Sequence, residues 1–181
     1  YQAYDSTLLA CIYADTVSSV LKVGMPLDVN KLDEERSRMT ELLQNNGYYS
    51  FKKDYVTYLA DTARNSSDVN LTIRIRTGHL EQTADEHRVV STFKPYRIEN
   101  VNYLLYPPSH TYQRGFAFTD SLHYDNCSFM FGGELSLRPQ VLRNTSVLQP
   151  GAMYSASTVR DSYALYGRLG ALKYTNINFV E

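Results

Sequence analysis

The strict alternation of apolar and polar side chains over residues 69–76 constrains the fold more than any other feature. Its apolar members are Val69, Leu71, Ile73 and Ile75, and its polar members are Asn70, Thr72, Arg74 and Arg76. Successive side chains of a β-strand point to opposite faces, so one face of this strand must be buried and the other hydrated. The β-branched and aromatic run at 55–60, joined to it by a polar turn, predicts an antiparallel neighbour.

A helix predicted over residues 30–46 supplies the cover for that sheet. Its apolar stripe consists of Leu32, Met39, Leu42 and Leu43. Asp28 or Asn30 can cap its start, and Gly47 is placed to end it in the left-handed conformation. Segments 6–13 and 16–22 also have a helical pattern, which ends at Gly24 and Pro26. Residues 1–76 therefore predict a strand remnant, two helices and two strands.

Part of this pattern recurs 127 positions further along, where Leu21–Met25 is answered by 148–152. At the same offset the cap and core positions keep their chemistry. The pairs are Asp28 with Ser155, Leu32 with Val159, Met39 with Tyr166, and Leu42 with Leu169. Predicted strands at 96–106 and 172–180 flank the second helix. The chain therefore predicts two copies of one small unit.

The predicted organisation is α+β, with a first unit at 1–77, a polar linker at 78–92 and a second unit at 93–181. Within the second unit, residues 107–133 carry no helical stripe and are interpreted as an inserted hairpin or an ordered surface loop. The outer strand of each unit, before the first and after the second, is expected to be missing.

Composition excludes several classes of function. The net charge of −1, with acidic and basic residues interleaved, argues against a nucleic-acid surface or a polybasic membrane anchor. Apolar runs are far shorter than the roughly 20 residues that a membrane helix needs. Cys11 and Cys127 share no metal-ligand spacing with any histidine, and they are interpreted as two isolated apolar residues, with a long-range disulfide as the alternative.

Catalysis is the main competing hypothesis, and a metal site its most specific form. His79, Glu81, Asp85, Glu86 and His87 cluster within nine positions. Structural zinc sites favour tighter spacing on fixed elements, whereas this stretch has the composition of a solvated linker. Neither a nucleophile elbow nor a phosphate-binding loop occurs in the sequence. We therefore expect no catalytic residue, metal or cofactor.

Four short strings together resemble the POTRA domains of the BamA/TamA outer-membrane assembly family, closest to TamL-type lipoproteins of Bacteroidota. They are Leu-Lys-Val-Gly at 21–24, Leu-Asp-Glu-Glu-Arg at 32–36, Asn-Asn-Gly-Tyr-Tyr-Ser-Phe at 45–51, and Ala-Asp-Thr at 60–62. In the second half, 150–155 and 174–179 are similar to the last POTRA repeat before the barrel. The resemblance covers nearly the whole chain except 107–133.

The resemblance implies a strand-helix-helix-strand-strand unit in a periplasmic array, tethered to the outer membrane through a barrel that this chain does not include. Its expected partners are unfolded outer-membrane protein precursors and other subunits of the assembly machinery. The second strand of each unit is then a sheet edge at which a client strand can add, here at 55–60 and 172–180. The candidate binding residues are Tyr55, Val56, Thr57, Tyr58, Leu59 and Ala60.

Two other functions stay open at this point. A POTRA module can serve polypeptide export or cell division, and sequence attached to either end would separate these roles from barrel assembly. A small hydrolase or metal-binding domain is the third, disfavoured hypothesis, because no polar constellation in the sequence converges on a reaction.

Overall fold

A computed structural model describes residues 1, 3, 6–62, 68–76, 80–81, 89–90, 93–107, 116–135 and 137–180. The chain divides into two compact units, Tyr1–Tyr96 and Arg97–Glu181. Each unit combines helices with a small sheet, so the predicted α+β class is confirmed.

The first unit contains two helices followed by two long strands. The helices are α1 (Ser6–Ala14) and α2 (Val29–Asn45), and the strands are β1 (Val56–Thr62) and β2 (Val69–Ile75). A short antiparallel pair follows, β3 (Leu80–Glu81) with β4 (Val89–Val90). Single 3-10 turns occupy Thr16–Ser18 and Lys53–Tyr55.

The predicted helix over 16–22 is wrong, because only the turn Thr16–Ser18 forms there. Ser19 leaves that turn in an extended conformation. The Val20 amide donates at 2.9 Å to the carboxylate of Glu35 in α2 instead of to a preceding carbonyl. A side-chain acceptor on α2 thus replaces the hydrogen bond that would have continued the helix.

Helix α2 begins and ends as its sequence predicts. The Asp28 carboxylate accepts a hydrogen bond from the Asn30 amide at 2.8 Å and caps the first turn. At the other end Gly47 is left-handed, with φ of 96°, and the Tyr48 amide donates to the Leu43 carbonyl at 3.1 Å. This is the six-to-one bond of a Schellman motif, which glycine favours at this position.

The β1–β2 pair has the predicted dry and wet faces. Ile73 and Ile75 are buried, whereas Asn70 and Arg74 on the opposite face are exposed. The innermost line of α2 is Glu35, Met39 and Leu43, all with 0% exposure. Two of the four residues of the predicted stripe, Met39 and Leu43, are thus confirmed as buried, whereas Leu32 and Leu42 are half-buried. Val69 and Leu71 on β2 are half-buried as well.

The second unit is built on a three-stranded mixed sheet. Strand β7 (Cys127–Phe131) lies in the centre, parallel to β5 (Val101–Leu105) and antiparallel to β6 (Asp120–Tyr124). Helices α3 (Pro139–Thr145) and α4 (Ala156–Arg168) follow in sequence. In the first unit the two helices and two strands follow in the predicted order, with no strand before α1 among the described residues. The described residues of the second unit do not have the predicted order of strand, two helices and two strands.

The predicted insertion contains the hairpin β6–β7, which confirms one of the two interpretations offered for it. Asp125 and Asn126 form its tight turn, both left-handed, with φ of 48° and 57°. The hairpin is part of the hydrophobic core, however, and does not lie only on the surface. Phe129 and Cys127 are 0% and 1% exposed and form the core with Leu142 of α3 and Tyr166 of α4. Their apolar side chains supply the sheet face that the helices cover.

The predicted strand at 172–180 is wrong as a sheet strand. From Tyr174 onward its residues alternate in exposure, but within the described part of the chain they join no ladder. The Ile177 amide donates instead to the Tyr163 hydroxyl of α4 at 2.7 Å, and Phe179 packs edge-on against Tyr154 at 5.2 Å. Side chains of the helical layer thus replace a neighbouring strand.

The repeat at offset 127 is confirmed locally. Gly24 and Gly151 both have φ of 82°, in turns closed by matching hydrogen bonds from Met25 to Lys22 and from Ala152 to Gln149. Asp28 and Ser155 then cap α2 and α4. The recurring element is a glycine turn, a cap and a helix, and the surrounding strands differ.

Most of the predicted linker lies outside the described residues, together with His79 and His87. Phe93 lies beyond it in sequence but packs in the first core, and the Tyr96 amide donates to the Gly47 carbonyl at 2.9 Å.

Across the described residues, no helix combines the length and the apolar character needed to traverse a bilayer.

Candidate functional site at the edge of strand β1

The six residues predicted to form a binding edge lie at and just before β1. Tyr55 closes the preceding 3-10 turn, and Val56 to Ala60 belong to the strand, which continues to Thr62. Only β2 pairs with β1 among the described residues, so the other edge of β1 has no strand beside it there. An edge of this kind presents backbone donors and acceptors to an added strand.

Hydrogen bonding identifies which amides point outward. Tyr55 and Arg76 are in register, and the Arg76 amide donates to the Tyr55 carbonyl at 2.8 Å. Antiparallel pairs alternate between hydrogen-bonded and non-hydrogen-bonded, so Thr57, Leu59 and Asp61 direct their backbone groups to β2. The Val56 amide is already used, since it donates to the Lys53 carbonyl of the 3-10 turn. The outward amide and carbonyl groups therefore belong to Tyr58, Ala60 and Thr62.

The side chains of β1 divide into an anchored part and an exposed part. Val56 is 1% exposed and Tyr58 is half-buried, both against the first core. From Leu59 to Thr62 every residue is exposed, Leu59 at 43%. The strand is thus fixed at its start and open at its end, where Leu59 offers an apolar contact.

Tyr58 ties the strand to α2. Its hydroxyl donates to the Leu32 carbonyl at 2.7 Å, and the Arg36 guanidinium lies 5.3 Å from its ring centroid. Burial, reinforced by the nearby Glu35 carboxylate, raises the pKa of Tyr58 to about 12. The Tyr58 ring is therefore held against α2.

Tyr55 is likewise committed to the core. Its ring lies 5.7 Å from that of Phe51 and 5.0 Å from that of Phe93, in tilted and edge-on contacts. Such aromatic clusters are rigid, so the start of β1 has a fixed position and direction. Leu59, at 43% exposure, is the large apolar side chain of β1 that stays accessible.

The helical layer behind β1 is held by a buried ion network that sequence reasoning missed. The Glu35 carboxylate accepts from the Arg38 guanidinium at 2.8 and 3.0 Å, from the Ser19 hydroxyl at 3.0 Å and from the Val20 amide at 2.9 Å. Arg38 also donates to Asp15 at 2.7 Å. Burial alone would raise the pKa of Glu35, but the hydrogen bonds outweigh it and lower that pKa.

This network joins the end of α1 and its connecting turn to α2, so the helix that receives Tyr58 cannot slide freely. One signal for it exists in the sequence, since Glu35 lies four positions before Met39 on the apolar stripe. A carboxylate at such a position predicts a buried partner, and Arg38 is one turn away.

The second unit contains a shallow hollow of about 610 Å³, lined by Glu99, Asn100, His123, Tyr124, Asp125, Asn126, Ser128 and Pro150. Within it the His123 Nδ1 lies 3.0 Å from the Ser128 Oγ. The two residues are directly opposite on β6 and β7, so strand register explains the contact. Asp125 is bound to the buried Arg143 at 2.7 Å, which ties the hairpin turn to α3.

Metal and thiol chemistry find little support in the described chain. No three His, Cys, Asp or Glu side chains of the described ranges are grouped to hold a metal ion, and the predicted cluster at 79–87 lies largely outside those ranges. Cys11 and Cys127 are free thiols. Burial is the main cause that raises the pKa of each thiol. A thiol with a raised pKa is less reactive, which favours the interpretation of both cysteines as packing residues.

Comparison of the chain with protein-family models, with curated proteins and with solved structures finds no match.

Proposed function

We propose that this chain is a non-catalytic interaction module that binds extended polypeptide segments by strand addition at the outer edge of β1. The proposed clients are unfolded outer-membrane protein precursors in the periplasm, as the resemblance to POTRA domains implies. The observation that carries the proposal is the alternation in β1, which leaves the backbone groups of Tyr58, Ala60 and Thr62 directed away from β2.

The geometry of the edge suits varied clients. Backbone hydrogen bonds do not depend on client sequence, and the exposed part of β1 supplies only Leu59 as a large apolar contact. Rigid anchoring through Tyr58 and the Glu35 network lowers the entropy that the edge loses on pairing. A short ladder with little side-chain burial implies weak binding, with a dissociation constant on the order of micromolar or larger.

A crosslinking experiment with a backbone-directed variant tests the proposal. A photoreactive residue replaces Leu59, whose side chain is exposed beside the edge, and the protein is mixed with an unfolded barrel precursor. Ala60→Pro removes an outward donor without removing a β1–β2 hydrogen bond, and proline is tolerated at such edge positions. Ala60→Val keeps the donor and serves as the matched control.

We expect crosslinking to fall several-fold in Ala60→Pro and to persist in Ala60→Val. Thr57→Pro is unsuitable because the Thr57 amide pairs with β2, and Tyr58→Pro would also remove the contact with Leu32. Equal crosslinking in a folded Ala60→Pro protein would show that clients bind elsewhere.

A further inference from the structure

Strand β6 leaves part of the inner face of the second sheet uncovered. All five of its residues are exposed. Leu122 and Tyr124 stand directly opposite Phe129 and Cys127, on the face that α3 and α4 cover. Yet they are 41% and 39% exposed, against 0% and 1% for those two neighbours on β7. The helices thus cover β5 and β7, and the apolar side chains of β6 extend beyond them.

Among the described residues β6 pairs only with β7, so no strand lies at its other edge there. The turn Asp125–Asn126 is a two-residue hairpin turn, so Tyr124 and Cys127 form the hydrogen-bonded pair next to it. By alternation, the amide and carbonyl groups of Ser121 and His123 point away from β7. The strand contains neither lysine nor proline, the residues that usually prevent edge pairing.

We propose that β6 pairs antiparallel with β6 of a second copy of this chain, in a two-fold arrangement centred on Leu122. The outward groups of Ser121 then meet those of His123 in the other copy, and the two pairs exchange four hydrogen bonds. Leu122 lies opposite Leu122 of the second copy, on the part of the inner face that the helices leave uncovered. There each side chain shields the other from water.

The number of paired residues favours this register over its neighbours. Asp120 lies opposite Tyr124 of the second copy, so no carboxylate faces a carboxylate. A register centred on His123 would place two imidazoles opposite each other, and one centred on Ser121 would engage fewer residues. Only the register centred on Leu122 pairs all five residues of each strand, which makes the edge self-complementary.

The predicted association is weak, because five residues a side cover far less than the roughly 800 Å² per partner of a standard interface. We expect a dissociation constant on the order of 0.1–1 mM. The proposal does not rest on the proposed function, since it concerns β6 in the second unit whereas client binding concerns β1 in the first.

Sedimentation equilibrium over a range of concentrations up to about 1 mM tests the association. We expect the weight-average mass of the wild-type chain to rise reversibly toward that of a dimer. Leu122→Lys should weaken the association at least ten-fold. Leu104→Lys is the matched control, because Leu104 is 49% exposed on the opposite face of the same sheet and should leave the association unchanged.

Disulfide trapping tests the register, with Cys11→Ser as background because the Cys127 thiol is buried. Leu122→Cys should crosslink with itself, since residues in a non-hydrogen-bonded pair lie about 4.5 Å apart at Cα. Asp120→Cys should crosslink with Tyr124→Cys but not with itself. A chain that stays monomeric at every concentration, a dimer that survives Leu122→Lys, or crosslinking of Asp120→Cys with itself alone would each overturn the proposal.

Discussion

Replacement of Glu35 gives the sharpest test of what holds the first unit together. Its carboxylate is fully buried and receives four hydrogen bonds, two of them from Arg38. Removal of one member of a buried ion pair leaves the other charge without its main partner, at a cost of about 3–5 kcal/mol. Here the Ser19 hydroxyl and the Val20 amide lose their acceptor as well. We therefore expect Glu35→Ala to lower the free energy of unfolding by about that amount.

Glu34→Ala is the matched control for this prediction. Glu34 forms a salt bridge with Lys31 at 2.7 Å, but both side chains are about half exposed, at 53% and 44%. Exposed ion pairs contribute about 0–1 kcal/mol, so this variant should be close to wild type. Urea unfolding, followed at the amides of Met39 and Leu43 by NMR, reports on the first unit alone.

The effect of Glu35 should also depend on pH in a defined direction. Because the pKa of Glu35 is lowered in the folded chain, its contribution is present above the unfolded carboxyl pKa of about 4.3 and is lost as pH falls through the folded value. The difference in stability between wild type and Glu35→Gln should therefore be largest near pH 7 and shrink below about pH 4. A difference that does not change with pH, or a Glu35→Ala cost no greater than that of Glu34→Ala, would refute the reasoning.

Three further outcomes follow from the packing. Ile73→Ala should cost about 2–5 kcal/mol by urea unfolding, and Leu71→Ala distinctly less, because Ile73 is 7% exposed and Leu71 is half-buried; equal costs would contradict the packing. Phe129→Ala should cost about 3–5 kcal/mol in the second unit, since the side chain is fully buried and stacks on Tyr103 at 4.4 Å, whereas a surface hairpin would tolerate the change. Tyr58→Phe should cost about 0.5–1.5 kcal/mol through loss of the hydrogen bond to Leu32. Because the pKa of Tyr58 is raised to about 12, its contribution is intact below about pH 10 and lost as pH rises toward 12; the wild-type stability should fall over that window, and Tyr58→Phe should lack this component.

Local features of the fold follow from the sequence wherever a short-range rule decides them. The Asp28 cap, the left-handed Gly47 and the alternation in β2 each depend on residues within a few positions, and all three predictions are confirmed. The repeat also holds at this range, in the turns at Gly24 and Gly151 and the caps that follow.

The wrong predictions involve partners distant in sequence. Residues 16–22 have helical periodicity, but the Glu35 carboxylate captures the Val20 amide from 15 positions away. Residues 172–180 alternate like a strand, yet Tyr163 of α4 takes the Ile177 amide. The sequence predicts the hairpin at 120–131 only as an insertion, because its core partners, Leu142 and Tyr166, lie further along the chain. For the candidate edge, the sequence located β1 but could not specify which amides face outward, since that depends on register with β2.

Residue-resolved amide exchange in the presence of a client peptide tests the central claim most directly. An extended peptide from a barrel strand is titrated into the isotopically labelled chain, and exchange is followed along β1. Strand addition predicts that the amides of Tyr58, Ala60 and Thr62 become protected, while those of Thr57, Leu59 and Asp61, already bound to β2, keep their rates. Unchanged exchange at the three outward amides under saturating peptide, or equal protection elsewhere in the chain, would contradict binding at this edge.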